Sequence, residues 1–169
     1  MGSGEAKSGL REAFLEDHRR FTRGLSALRE ALRDDDLAAA VEAARALDRE
    51  VGAHIEFEER HYYPALVEPL GREFVTRLYA EHRLGRDALR SLLELRGGPL
   101  GPKRKDEILE AIEGTMQHAL SCGSLLSHLE RLEDDAREEL LRLLLELRAS
   151  AHRWTELPER GIGGTTHGG

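Results

Sequence analysis

The alternation of apolar and polar residues along the chain predicts four long helices, each with one buried face. Within each predicted helix, apolar residues recur at alternating intervals of three and four, a spacing that places their side chains on one side. Clusters of turn-forming residues at 34–36, 64–71 and 97–102 separate the helices. No segment shows the period of two that is typical of a strand. We therefore expect an all-α fold, an up-down-up-down four-helix bundle.

A fifth, leucine-rich stretch runs from residue 134 to about residue 152. Its leucines cover more than one helical face, so a single buried stripe does not account for them. Two interpretations stay open: an additional C-terminal helix that lies across the bundle, or a helix shared with a second copy in a homodimer. We assign residues 1–155 to the bundle and this helix, and residues 156–169 to a flexible tail in which His167 has no function.

Composition limits the classes of function. The chain has 169 residues, 34% of them charged, and a net charge of −7, which argues against nucleic acid or an anionic membrane as a partner. No apolar run approaches the roughly 20 residues that span a bilayer, and the first ten residues lack the apolar run of a signal peptide. The single cysteine, Cys122, excludes an internal disulfide, and we expect a cytoplasmic protein. The lack of Asn suits a heat-adapted bacterial source.

Each of the four predicted helices carries one histidine on its apolar face. They are His18, His54, His82 and His118. The first two are separated by 36 residues, and so are the last two (54 − 18 and 118 − 82), which predicts two similar hairpins with their histidines at matching heights. Glu58 follows His54 by four residues and Cys122 follows His118 by four, so each pair shares a helix face. Folding the hairpins together brings four imidazoles, one carboxylate and one thiol into a single layer.

Such a layer predicts a metal site. Each buried polar group needs a partner, so four imidazoles and a carboxylate are costly to bury without a cation. A metal-free polar core is the alternative. Imidazole with carboxylate suits iron, zinc, manganese or copper, and one carboxylate between two histidine pairs favours a site that holds two metals.

Three nearby side chains each allow two interpretations. His61 follows Glu58 by three residues and is either a ligand or a hydrogen-bond partner of Glu58 or Cys122. Tyr62 either donates to a bound oxygen species or is an ordinary core tyrosine. Cys122 is either a small residue that fills core space or a thiol within reach of the metals.

Other polar residues are assigned to the surface. His128 and His152 fall off the apolar stripes. Glu56, Glu59 and Arg60 are predicted to form a solvent-exposed face of the second helix.

The run from His54 to Leu66, which reads HIEFEERHYYPAL, resembles the H-x-x-x-E-E…P-x-L signature of hemerythrin-like (HHE cation-binding) domains. His18 matches the histidine of that family's first helix, His82 that of the third and His118 that of the fourth. The resemblance covers about residues 10 to 130. It implies a non-heme di-iron site, with zinc or manganese as alternatives, and a small diatomic molecule or peroxide as the ligand.

Two departures from the family pattern argue against reversible oxygen transport. The oxygen carriers have a second histidine on the third helix, where this chain has Leu78 and Arg86 around His82. Members with one histidine there usually place a glutamate on the fourth helix, at the position of Cys122. We therefore expect a protein that binds or senses O2, peroxide or NO; a metal store or sensor without redox turnover is the alternative, and catalysis stays open. The expected metal ligands are His18, His54, Glu58, His61, His82, His118 and Cys122.

Overall fold

The computed structural model describes the backbone of residues 3–163 and the side chains of residues 9–163. Throughout this part of the chain the regular structure is helical and contains no strand, which confirms the predicted all-α class. The α-helices are α1 (Ser3–Arg33), α2 (Leu37–Phe57), α3 (Tyr63–Leu70), α4 (Arg72–Leu93), α5 (Pro102–Glu130) and α6 (Asp134–Ser150). A π-helical turn, Glu58–Tyr62, joins α2 to α3, and a 3-10 turn, Trp154–Glu156, follows α6.

Four of these helices form a bundle. Helix α1 contacts α2 and α5, while α4 contacts the same two helices, so that α1, α2, α4 and α5 form a closed ring of neighbours. The up-down alternation of their directions stays a prediction. At the first predicted break, the Asp36 carboxylate caps α2 by accepting the amide of Ala39 at 2.9 Å. The predicted turn over 64–71 is mostly helical, because Pro64 is tolerated in the first turn of α3.

Helix α6 packs on α1 and α2 of the same chain, as expected for a helix that lies across the bundle. Leu144 and Leu147 are buried in this contact. Leu145 is 49% exposed on the other side, which explains why the leucines cover more than one face. A homodimer through this helix stays a prediction.

The apolar core consists of two clusters. One includes Phe21, Leu25 and Leu89, and the other includes Phe14 and Phe57. On α1 and α4, a buried histidine lies in sequence between the residues of one cluster and those of the other; on α5, His118 lies beside the changeover, which falls between Ala119 and Cys122. The histidine layer therefore lies between the two apolar clusters of the core.

After α6 the chain crosses the bundle as a C-terminal strap, which we define as residues 152–162. At Gly52 on α2, an added Cβ would lie 1.9 Å from the carbonyl oxygen of His152, so only glycine permits this crossing. The strap buries Trp154 and Leu157, at 1% and 5% exposure. The expected flexible tail thus contacts the bundle at Leu157, and its last six residues, with His167, lie outside the described part.

No described helix is both long and apolar enough to cross a membrane.

Candidate metal centre

The four predicted histidines surround the Glu58 carboxylate in the interior. None of the five residues is more than 7% exposed. Glu58 Oε1 lies 3.9 Å from His18 Nε2 and 3.5 Å from His54 Nε2. Glu58 Oε2 lies 3.2 Å from His82 Nε2, which is in turn 3.1 Å from His118 Nε2. The two carboxylate oxygens therefore face different histidine pairs, one from each predicted hairpin.

The other ring nitrogen of each histidine faces an oxygen. The partners of Nδ1 are the Phe14 carbonyl for His18 (3.1 Å), Asp17 Oδ2 for His54 (3.4 Å), Glu59 Oε1 for His82 (3.1 Å) and Glu81 Oε2 for His118 (2.5 Å). A carbonyl or carboxylate oxygen accepts, so Nδ1 of His18, His82 and His118 donates in these bonds and the Nε2 atom of each ring faces inward. The approach of His54 Nδ1 to Asp17 is an ion-pair contact that is too loose to count as a hydrogen bond. Oxygen partners of this kind hold metal-binding histidines in their tautomer and orientation.

Atoms without a hydrogen-bond partner test whether the site fits a metal. Both nitrogens of His54, Oε1 of Glu58 and Oδ2 of Asp17 are buried without such a partner. Buried polar atoms are normally satisfied, and a cation would satisfy His54 Nε2 and Glu58 Oε1 together. The donor atoms also form two compact groups, within each of which they lie within 4.8 Å of one another: His18 with Glu58 and Cys122, and Glu58 with His82 and His118. The residues therefore fit a bound metal.

Cys122 joins this site from α5. The side chain is fully buried, and its Sγ lies 3.3 Å from His118 Nε2. Burial and the Glu58 carboxylate raise the pKa of the thiol well above its usual range. A bound cation acts in the opposite direction, because it stabilises the thiolate.

The family model for the hemerythrin HHE cation binding domain matches residues 10–122, which include all four histidines, Glu58 and Cys122. The chain belongs to the hemerythrin HHE cation-binding family. Comparisons with curated proteins and with solved structures gave no match. The resemblance found in the sequence is thus confirmed, and cation binding is the function that it supports. Helix α6 and the C-terminal strap lie beyond the hemerythrin match.

A π-helical turn that begins at Glu58 determines which tyrosine reaches the site. In this turn the amide of Tyr63 donates to the carbonyl of Glu58, five residues earlier, which inserts one residue relative to an α-helix. Tyr63 therefore takes the place that an unbroken helix gives to Tyr62. The Tyr63 hydroxyl lies 2.9 Å from His82 Nε2, 3.1 Å from His118 Nε2 and 3.3 Å from Glu58 Oε2. Sequence reasoning missed Tyr63 because it assumed a continuous α-helix.

The same turn moves Tyr62 and His61 away from the cluster. The Tyr62 hydroxyl donates to the carbonyl of Leu125 at 2.6 Å, which is the bond of a core tyrosine. His61 is half-buried, and its ring lies 6.2 Å from that of Phe57. The structure does not bring His61 into either group of donor atoms.

The prediction that Glu56 and Glu59 form a solvent-exposed face is wrong. They are 3% and 8% exposed. The C-terminal strap covers both and pairs with both, and Glu59 also faces the buried His82 of α4. His152 Nδ1 lies 2.7 Å from Glu56 Oε2, although the histidine itself remains half exposed. The sequence around Glu56 gives no indication that its partners, His152 and Arg160, lie about 100 residues further along the chain.

Asp17 and Glu81 are further polar residues of the site that sequence reasoning missed. Each directly precedes a histidine of its own helix and contacts the histidine of the other helix of the same hairpin. Asp17 faces His54, and Glu81 faces His118. The signal was present, since an acidic residue stands before both His18 and His82. It repeats with the hairpin, as the histidines do.

In the metal-free protein, the neighbouring carboxylates raise the pKa of some of the histidines above that of the others. Burial lowers the pKa of His54 and of His82, but Glu58 together with Asp17 or Glu59 outweighs it and raises each pKa to about 9. For His18, burial and the neighbouring His54 outweigh the opposing effects of Glu58 and the Phe14 carbonyl and lower the pKa to about 4. The pKa of Glu58 falls well below its usual value because the two histidine contacts outweigh its burial. The centre thus holds positive charge close to Glu58 even without a metal.

Proposed function

We propose that this hemerythrin-family protein holds a pair of iron ions and binds or senses O2, peroxide or NO at them. One observation carries the proposal: the two oxygens of Glu58 face two different histidine pairs. A carboxylate in that position is suited to bridge two metals, as carboxylates do in other helical-bundle sites. Imidazole and carboxylate together suit iron, and the nearby thiol does so as well.

In this proposal each half of the centre has its own donors. His18 and His54, with Glu58, would hold one ion, and His82 and His118, with the same carboxylate, would hold the other. When bound, iron supplies open coordination positions and electrons for a small diatomic molecule or peroxide. Hydrogen bonds at Nδ1 keep the imidazoles of His18, His82 and His118 oriented, so these donors are arranged before the metal arrives.

The remaining residues control the space beside the ions. Tyr63 offers a hydroxyl proton next to His82 and His118, and burial, with Glu58 adding to it, raises the pKa of its phenol well above the usual value. The phenol therefore keeps its proton at neutral pH unless its oxygen binds a cation, in which case the proton is released to solvent. Cys122 occupies the position of the fourth-helix carboxylate of relatives, which replaces a hard oxygen donor by a soft sulfur donor. Reversible oxygen carriage is therefore not the activity we propose.

The test is an optical titration of the full chain. The metal-free protein is loaded with Fe(II) without oxygen, and spectra are recorded before and after addition of azide, peroxide or NO. We expect new visible bands that depend on each added ligand, and we expect the variant His128→Ala to behave as the wild type. A protein that takes up only zinc, or no metal, after iron-replete expression would contradict the proposal. Iron binding without any response to these ligands would support metal storage instead.

A further inference from the structure

The C-terminal strap carries an arginine to the carboxylate that holds His82. Arg160 Nη1 lies 3.5 Å from Glu59 Oε2, and Glu59 Oε1 lies 3.1 Å from His82 Nδ1. The second guanidinium nitrogen lies 3.5 Å from Glu56 Oε1. The Arg160 side chain is 17% exposed, while His82 is 1% exposed. One line of contacts therefore leads from the strap to one candidate metal ligand.

We propose that Arg160 is a positioning residue that sets how strongly His82 donates to the metal. The inference rests on the proposed metal centre. A carboxylate that accepts the Nδ1 proton makes the opposite nitrogen a better donor, and the effect grows with the free negative charge of the carboxylate. Arg160 compensates the charge of Glu59, so it weakens that pull and keeps the electron density on His82 lower.

Burial makes this influence large enough to matter. Charges act over short distances with little screening in the interior, and both Glu59 and His82 lie there. The guanidinium is also a permanent charge, since arginine does not lose its proton in proteins. Because the strap lies beyond the domain match at residues 10–122, it adds this control to a centre that the bundle helices supply.

The strap has other anchors, so Arg160 can be tested without detaching it. Trp154 is 1% exposed and packs edge-to-face against Phe21 with ring centroids 5.5 Å apart. The amide of Thr155 donates to Asp48 Oδ1 at 2.8 Å, and its hydroxyl donates to Oδ2 at 3.0 Å. Substitution of Arg160 should therefore leave the strap in place, and the fluorescence of Trp154, the single tryptophan, reports whether it does.

The experiment measures the reduction potential of the iron-loaded full chain by spectroelectrochemistry. Arg160→Gln should shift the potential to a lower value, because His82 then donates more strongly and stabilises ferric iron. Arg160→Lys should recover most of the shift. The matched control is Arg83→Gln, which removes the 3.1 Å pair between Arg83 and Glu159 on the same strap without touching Glu59. We expect no shift in this control and an unchanged Trp154 emission in all three variants.

A second variant tests the route of the effect. In a Glu59→Gln background, Arg160→Gln should no longer change the potential. The proposal is overturned if Arg160→Gln has the wild-type potential, if Arg83→Gln shifts it equally, or if the effect survives in that background. A wild type that takes up no iron refutes the proposed function instead. In that case, the effect of Arg160 on His82 can still be tested by the NMR resonance of the His82 Nδ1 proton in zinc-loaded or metal-free protein. We expect this resonance to move downfield in Arg160→Gln.

Discussion

Replacement of Glu58 by glutamine should disrupt both the metal site and the metal-free protein. Glutamine keeps the shape of the side chain but removes the negative charge that faces His54 at 3.5 Å and His82 at 3.2 Å. Removal of one partner from a buried ion pair costs about 3–5 kcal/mol. Glu58 and both histidines are 1% exposed, so solvent does not screen this loss.

The expected effect is large on a thermal scale. For a chain of this size, 1 kcal/mol corresponds to about 2–4 °C in Tm, so Glu58→Gln should lower the Tm of the metal-free protein by about 10 °C. It should also lose most bound metal, since a neutral amide is a poor bridge between cations. Thermal unfolding by circular dichroism and metal analysis check the two effects. The matched control is Glu113→Gln, which removes an exposed pair with Arg33 and should change stability by no more than about 0.5 kcal/mol. A Glu58→Gln protein with full metal content and a Tm within about 2 °C of wild type would refute the reasoning.

The pH dependence of metal-free stability follows from the same contacts. The raised pKa of His54 and His82 stabilises the fold fully below the unfolded-state value near 6.5, and this contribution is lost as the pH rises towards about 9. The lowered pKa of Glu58 stabilises the fold above 4.5, and this contribution is lost as the pH falls. Stability from these groups is therefore greatest between about pH 5 and 6.5, and Glu58→Gln should flatten the profile. Metal affinity should instead increase with pH, because a cation displaces the imidazole protons.

Three further substitutions, two of them with a matched control, test individual ligands and neighbours. His118→Ala should lose metal and lower the Tm, whereas His128→Ala, on the same helix, should change neither; metal loss in the second would contradict the assigned register of α5. Cys122→Ser should abolish a visible charge-transfer band if thiolate binds iron, and identical spectra, metal content and peroxide reactivity would leave cysteine a packing role only. Tyr63→Phe should alter the spectrum of the iron-loaded protein, whereas Tyr62→Phe should cost about 1 kcal/mol of stability and leave the spectrum unchanged; equal spectral effects would contradict the role of the π turn.

The sequence predicts the bundle and the centre of the site because both follow from helical periodicity. An inward position on each of four amphipathic helices, with equal spacing within the two hairpins, is enough to place His18, His54, His82 and His118 in one layer. Glu58 follows from the position one turn after His54. These inferences need only the geometry of a regular helix.

The sequence does not predict features that break regularity or depend on distant contacts. A π turn has no clear residue signature here, so the exchange of Tyr62 for Tyr63 at the site, and the displacement of His61, could not be foreseen. The burial of Glu59 depends on Arg160, which lies about 100 residues further along the chain. Glu59 lies in the π turn that follows α2, and its carboxylate faces both His82 of α4 and Arg160 of the strap, so its side chain is part of the interior.

The most direct test of the central claim is a crystal structure of the iron-loaded protein with anomalous diffraction measured at the iron edge. The account predicts a pair of anomalous peaks that flank Glu58, one contacted by His18 and His54 and the other by His82 and His118. Peaks elsewhere in the bundle, or histidines of this set turned towards solvent while iron is bound, would contradict it.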